Sequence, residues 1–271
     1  MDVINKTQYW DERRGHIYSA KGGWVIGKGI ASHGYSLLDD LVGGKSFFQV
    51  MVLNATGKML PENFTRWLEA TFICLSWPDS RIWCNQMGSY GGETKTSPVA
   101  AICAGVLASD SSLYGPGTVI SATRFIVAAL DYVRQGGVVD EYIETMAKTR
   151  LGLVTPGFAR PMAKGDERVE RMRQVAQELG FVDGPHMRTA RAIEKYLLTQ
   201  YDESMNLAGY IMAFLSDQGF SEQENYRIYS MCVNSGVHAA YSEAYDNVPD
   251  SYLPLRCEDI VYTGIPERVL L

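Results

Sequence analysis

TPGFARPMAKGDERVERMRQVAQELG, residues 155–180, joins an irregular loop to an amphipathic helix. In its second half Val169, Met172, Val175, Ala176 and Leu179 recur at spacings of three and four, which lays one apolar stripe along a helix. Gly180 follows the last apolar position, where a residue without a Cβ closes a helix. In the first half Pro156 and Gly157 fix an unusual backbone path, and Arg160, Lys164 and Arg168 supply positive charge. Lys164-Gly165-Asp166 leads straight into the helix, so unpaired backbone N–H groups lie beside those cations. That combination suits a phosphate or a carboxylate. The plainer reading is that Asp166 caps the helix and the basic residues form a solvated face.

Working outward, the helical period dominates the chain. Leu37, Leu38 and Leu41 form a stripe stopped by Gly43-Gly44; Phe47, Phe48, Val50, Met51 and Leu53 form the next, stopped near Gly57. Pro61-Glu62 opens a helix bearing Phe64, Trp67, Leu68, Thr71 and Phe72. Ser97-Pro98 opens the apolar run VAAICAGVLA, whose small residues permit close approach of another backbone and predict a central, tightly packed helix. Further helices are expected over 119–134, 138–150, 189–200 and 207–217. Another starts at the capping box Ser221–Glu224 and runs through Tyr226, Tyr229, Cys232 and Val233, and His238 lies in a helix as a packed or half-buried side chain. The glycine-bearing stretch 86–96 and the stretch 109–118 read as loops, residues 1–33 as an irregular arm or short hairpin, and the tail from Pro249 as extended. Many helices and hardly any strands predict an all-α protein.

The chain has 271 residues, 46% of them hydrophobic, and a formal net charge of −6. That suffices for a full core in one large domain or two lobes. An acidic balance argues against nucleic acid as a partner. No apolar run reaches the roughly 18–20 residues that span a bilayer, and the first residues carry no apolar signal core, so no membrane partner and a cytoplasmic location are expected. The five cysteines are scattered without a CxxC pair and read as free thiols, with Cys103 and Cys232 buried in apolar helices. The four histidines show no metal-binding spacing, so no metal is expected. Serine-hydrolase elbows and phosphate or dinucleotide fingerprints are absent from the sequence.

Several segments, in order, resemble the citrate synthase-like superfamily, and in particular its short citryl-CoA lyase-type branch. HGYSLLDDLVGGKSFFQVMVLNATGKMLPE, 33–62, is similar to the branch's N-terminal signature. SPVAAICAGVLA resembles the apolar helix that precedes the family's His-Gly-Gly. TPGFARPMAKGDER, 155–168, resembles a loop of the form Pro-Gly-Phe-Gly-His-Pro followed by Lys and Asp-Pro-Arg. MNLAGYIMAFLSDQGF, 205–220, resembles Leu-Asn-Val-Asp-Gly, an apolar helix and Gly-Phe; Tyr262-Thr263-Gly264 also fits.

The resemblance implies an all-α homodimer with a large domain, 1–85 and 209–271, a small domain, 86–208, and a cleft between them. It implies making or breaking a C–C bond between an acyl-CoA and an oxo acid, with CoA as substrate and no tightly bound cofactor. Thr155, Pro156, Gly157, Phe158 and Ala159 match the backbone that receives the adenine of CoA, and Lys164 a basic position near its phosphates. Arg168 and Asp166 match the family's Asp-Pro-Arg, with Glu167 in place of proline. Asn206 and Gly209 match scaffold positions, and Ser89 a serine of the first small-domain helix. The departures fall on the chemistry: the loop histidine matches Arg160, the catalytic aspartate Ala208, and the carboxylate-binding arginine of the late helix Asn234. No histidine stands around Leu113-Tyr114-Gly115. Alanine takes no proton, and arginine is no base near neutral pH. Arg160, Tyr114 and Asp110 are therefore the catalytic candidates, with Tyr90 and Glu93 behind them. Arg160, Arg168, Asn206, Asn234 and Ser89 are the candidates for holding a small anionic substrate. Two readings follow: an enzyme with altered chemistry, or a non-catalytic binder of CoA or carboxylate, a pseudoenzyme that regulates or scaffolds a partner.

Overall fold

The structure is a computed structural model that describes residues 6–149, 152–160, 165–248 and 256–269. In chain order the elements are α1 (Lys6–Asp11), β1 (Gly22–Val25), β2 (Gly29–Ser32), β3 (Tyr35–Ser36), α2 (Phe47–Thr56), α3 (Glu62–Leu75), α4 (Trp83–Glu93), α5 (Pro98–Ser109), α6 (Gly117–Arg134), α7 (Val139–Met146), β4 (Lys148–Thr149), β5 (Gly152–Leu153), α8 (Glu167–Glu178), α9 (Pro185–Tyr201), α10 (Leu207–Asp217), α11 (Glu222–Tyr229) and α12 (Asn234–Asp246). The fold is all-α, as the helical period predicts. No helix among the described residues is long and apolar enough to cross a membrane.

The contacts gather into two compact units. One comprises Met1–Leu75 and Ser111–Cys232, the other Ser76–Asp110 and Val233–Leu271. This grouping differs from the expected division into 1–85 with 209–271 and 86–208. Helices α4, α5 and α12 pack on one another, so they cluster together wherever a functional boundary falls.

In the larger unit α10 is the buried axis, with every residue from Gly209 to Leu215 inside. Its Phe214 stacks on Trp67 of α3 at 3.7 Å between ring centroids, Phe64 and Phe181 meet Phe214 edge-on, and Phe220 meets Phe64 edge-on. The Tyr210 hydroxyl donates to the Met172 carbonyl of α8 at 3.1 Å, so α10 is held at fixed height against the helix that leaves the 155–168 loop. The expected arm is a three-stranded antiparallel sheet, β1-β2-β3, with Trp24 opposite Ile30. Ser36 then caps a short π-helical turn, Leu37–Leu41. The helix expected over 138–150 ends at Met146, and the chain turns into the β4–β5 hairpin.

In the smaller unit the stretch 86–96, expected as a loop, is largely the helix α4. Its glycines serve packing, not turning. A Cβ on Gly88 would stand 2.6 Å from the Val237 carbonyl oxygen of α12, one on Gly91 2.3 Å from the Ala101 Cβ of α5, and one on Gly92 2.4 Å from the Tyr241 carbonyl oxygen. Helix α5 is tightly packed on one side only. Ala101, Gly105 and Ser109 are buried, whereas Val99, Cys103 and Leu107 are exposed. Cys103 is thus not the buried thiol expected, because it falls on the far side of its helix; His238 is exposed for the same reason. The helix expected to run from Ser221 through Val233 stops at Tyr229. A turn in which the Cys232 N–H donates to the Tyr229 carbonyl at 3.0 Å separates α11 from α12. Both Cys232 and Val233 are buried, so apolar spacing gives no sign of that break.

Candidate functional site

The 155–160 loop is stitched to the start of α10 by backbone. The Phe158 N–H donates to the Thr155 carbonyl at 3.0 Å, which closes a turn with Gly157 at φ +90°. Phe158 forms an antiparallel bridge to Met205, the Asn206 N–H donates to the Gly157 carbonyl at 3.0 Å, and the Ala159 N–H donates to the Ser204 carbonyl at 2.8 Å. Asn206 spends both ends of its amide on this join. Its Oδ1 accepts from Gly209 N–H at 3.1 Å, capping α10, and its Nδ2 donates to the Ala159 carbonyl at 2.8 Å. The Phe158 ring is buried edge-on against Phe125 at 6.0 Å.

Two glycines make that approach possible. A Cβ on Gly209 would stand 2.1 Å from the Gly157 carbonyl oxygen, and one on Gly157 2.8 Å from the Gly209 Cα. Ala159 adopts φ +71°, a left-handed conformation that costs a residue with a Cβ about 1–2 kcal/mol. The resemblance matches Ala159 to a glycine, so the backbone keeps a glycine-like shape that its residue does not favour.

Beside this join lies a cluster of charge. Asp166 caps α8, and its side chain is fully buried. Its Oδ1 accepts from the Arg168 N–H at 3.2 Å and from Arg168 Nε at 2.7 Å; its Oδ2 accepts from Arg168 Nη2 at 2.7 Å and from the Leu207 N–H at 2.9 Å. Burial pushes the Asp166 carboxyl up, but the Arg168 and Leu207 donors and the nearby Arg160 charge outweigh it and hold it below its ordinary value. Arg168 also donates to the Cys74 carbonyl at the end of α3, 3.2 Å away. One carboxylate thus ties the starts of α8 and α10 together, and its arginine reaches α3.

Arg160, the expected anion receptor, is engaged by Glu167, with Nη1 to Oε2 at 2.9 Å, and lies 3.9 Å from Asp166. Sequence reasoning missed that pairing. The signal was the acid at the position the family fills with proline, one residue past the cap. Tyr114 belongs to the same unit, where its backbone N–H donates to the Ser111 hydroxyl at 3.1 Å. Ala208, the second residue of α10, carries no titratable group.

The structure therefore brings Thr155–Arg160, Asp166, Arg168, Asn206 and Tyr114 into one unit. Ser89, Asp110 and Asn234, with Tyr90 and Glu93, belong to the other. There the Ser89 hydroxyl donates to the Ala240 carbonyl at 3.4 Å, joining α4 to α12, and Asn234 is the first residue of α12. Lys164 lies outside the described residues. A groove of about 480 Å³ in the larger unit is lined by Thr123, Arg124, Val127, His186, Phe220 and Glu222, among others, and by none of the loop residues. Among the described residues no group of three or more His, Cys, Asp or Glu side chains is placed to hold a metal ion.

No family model and no curated protein sequence matches the chain. Solved structures do. Citryl-CoA lyase from Hydrogenobacter thermophilus is similar at 25% identity over 94% of this chain and 97% of that one, with a TM-score of 0.77. ATP citrate lyase from Methanothrix soehngenii, solved with citrate and coenzyme A, is similar at 17% identity over 98% of this chain and 45% of its own, with a TM-score of 0.76. Citrate synthase from Thermoplasma acidophilum, in a ternary complex with carboxymethyl coenzyme A and oxaloacetate, is similar at 14% identity over 83% of this chain and 59% of its own, with a TM-score of 0.64. The chain has the all-α fold of these proteins and is similar over nearly its whole length to a citryl-CoA lyase.

Proposed function

We propose that this protein is a divergent citrate synthase-like enzyme that makes or breaks a C–C bond in an acyl-CoA or a related carboxylate substrate. The observation that carries the reading is the Gly157–Gly209 contact, locked by both ends of Asn206. The bonds from the Phe158, Ala159 and Asn206 N–H groups hold the loop's backbone in one shape, and in the resembling family that shape receives CoA. On this reading Thr155–Ala159 and Lys164 hold CoA as a substrate, and Arg160 and Arg168 face the carboxylates. Ser89 and Asn234 are the further candidates for holding the substrate, and the functional domains are 1–85 with 209–271 and 86–208. Arg160 and Ala208, at the positions of the usual bases, take no proton near neutral pH. The proton then passes through Tyr114 or Asp110, and Tyr114, in the same unit as the loop, is the first to test.

A second reading has its own support. Arg160 is ion-paired and Ala208 is inert, which fits a pseudoenzyme that binds CoA or a carboxylate to regulate or scaffold a partner. Turnover separates the two. Purified protein is given citryl-CoA and the oxaloacetate formed is measured, or it is given acetyl-CoA with oxaloacetate and the citryl-CoA and free CoA formed are measured. Turnover that falls at least tenfold in Y114F supports the enzyme. Calorimetric binding of CoA or citrate without turnover supports the binder, and silence in every assay defeats both readings. We also propose the homodimer that the resemblance implies, with the exposed side of α5 (Val99, Cys103, Leu107) as part of the surface it covers.

A further inference from the structure

Asp166 is fully occupied by Arg168 and the Leu207 N–H, so it is a poor partner for Arg160, which stands 3.9 Å off. The near partner of Arg160 is Glu167, and the two differ sharply in accessibility. The Arg160 side chain is 19% exposed, that of Glu167 76%. The Glu167 carboxylate therefore sits on a half-buried guanidinium, a donor that an external carboxylate or phosphate would use. An ion pair with one partner so exposed is weak and exchanges readily.

We propose that Glu167 is a tethered competitor for the anionic group that Arg160 receives: the ligand displaces it, and it sets both the affinity and the anion selectivity of the site. The proposal rests on the reading of Arg160 as the receptor of an anionic group. A tethered carboxylate competes at an effective concentration on the order of millimolar or more. A monocarboxylate with one contact to offer loses that competition. A tricarboxylate or a phosphate ester, which bridges Arg160 to further donors, wins it. The site thereby selects multiply charged anions without any direct contact from Glu167 to the ligand.

The test is calorimetry with citrate and with acetate on the full chain, comparing wild type, E167Q, E170Q and R160Q/E167Q. Glu170 lies one turn further along α8, exposed and paired with Arg173 at 2.6 Å, so E170Q removes the same charge without touching Arg160. Thermal melts check that each variant is folded. The expected result is citrate binding tightened about tenfold in E167Q and within about twofold of wild type in E170Q. Acetate binding becomes measurable only in E167Q, and the gain is abolished in R160Q/E167Q. Citrate binding equal or weaker in E167Q, with wild type still binding, overturns the competitor role and leaves the anion site standing. An equal gain in E170Q reduces the effect to general charge and also overturns it. Binding by neither wild type nor E167Q at millimolar citrate overturns the anion-site reading and the competitor together.

Discussion

Asp166 shows how much one side chain settles. It caps α8, binds Arg168 through both oxygens and holds the first N–H of α10. Its folded pKa lies below the value near 3.9 of an unfolded aspartate. The sign follows from that. Its contribution to stability is complete above the unfolded value and is lost as pH falls through the folded one. Asp166→Asn leaves the guanidinium of Arg168 without its counter-charge and should cost about 3 kcal/mol at pH 7. The cost should shrink below about pH 4, where the carboxylate of the unfolded chain takes up a proton while the folded one still resists it. Urea unfolding from pH 3 to pH 7 measures both, and a constant difference across that range would show that Asp166 acts by shape alone. The cap itself is legible in the sequence, since an acid stands just before an amphipathic run. Its reach to Leu207 is not, because 41 residues separate the two and no local pattern encodes that distance. Glu167 is harder still. An acid in a first helical turn is ordinary, and only the fold shows that it lies on Arg160.

Helix α4 is where sequence and structure part most plainly. Gly88, Gly91 and Gly92 have the spacing of a flexible loop, and by local propensity alone they argue against a helix. The helix forms because α12 and α5 come so close that nothing larger than hydrogen fits between them. Tertiary packing overrides propensity, and one sequence read locally cannot show the neighbour that demands the space. On an exposed helix Gly→Ala gains about 1 kcal/mol. At Gly92 the added methyl would meet the Tyr241 carbonyl, the Tyr245 N–H and the Ala244 Cβ at 2.4, 2.7 and 2.9 Å. Gly92→Ala should therefore destabilise by about 1–3 kcal/mol, read as a lowered melting temperature. A raised one would mean that α4 is not packed as described. The helices that read correctly announce themselves locally: α3 and α8 bury one face each, and α10 is an apolar run that starts at its Asn206 cap.

At the scale of the molecule the ordered motifs pointed to the fold that the solved structures share, because each marks a place where the backbone needs particular residues. Assembly is less legible. VAAICAGVLA is apolar all round, and the sequence does not tell a helix buried on every side from one buried on one side and waiting for a partner. In the described structure Val99 and Leu107 remain 71% and 76% exposed. If the proposed homodimer covers them, Leu107→Glu should convert it to monomer in sedimentation velocity while leaving the far-ultraviolet dichroism unchanged. A wild-type chain that sediments as a monomer removes the dimer. Gly157 and Gly209 each forbid a side chain on the other's account, so neither position can change alone. A single substitution at either glycine must push the other strand of backbone away, and the path of this loop is therefore guarded twice, once from each side of the contact.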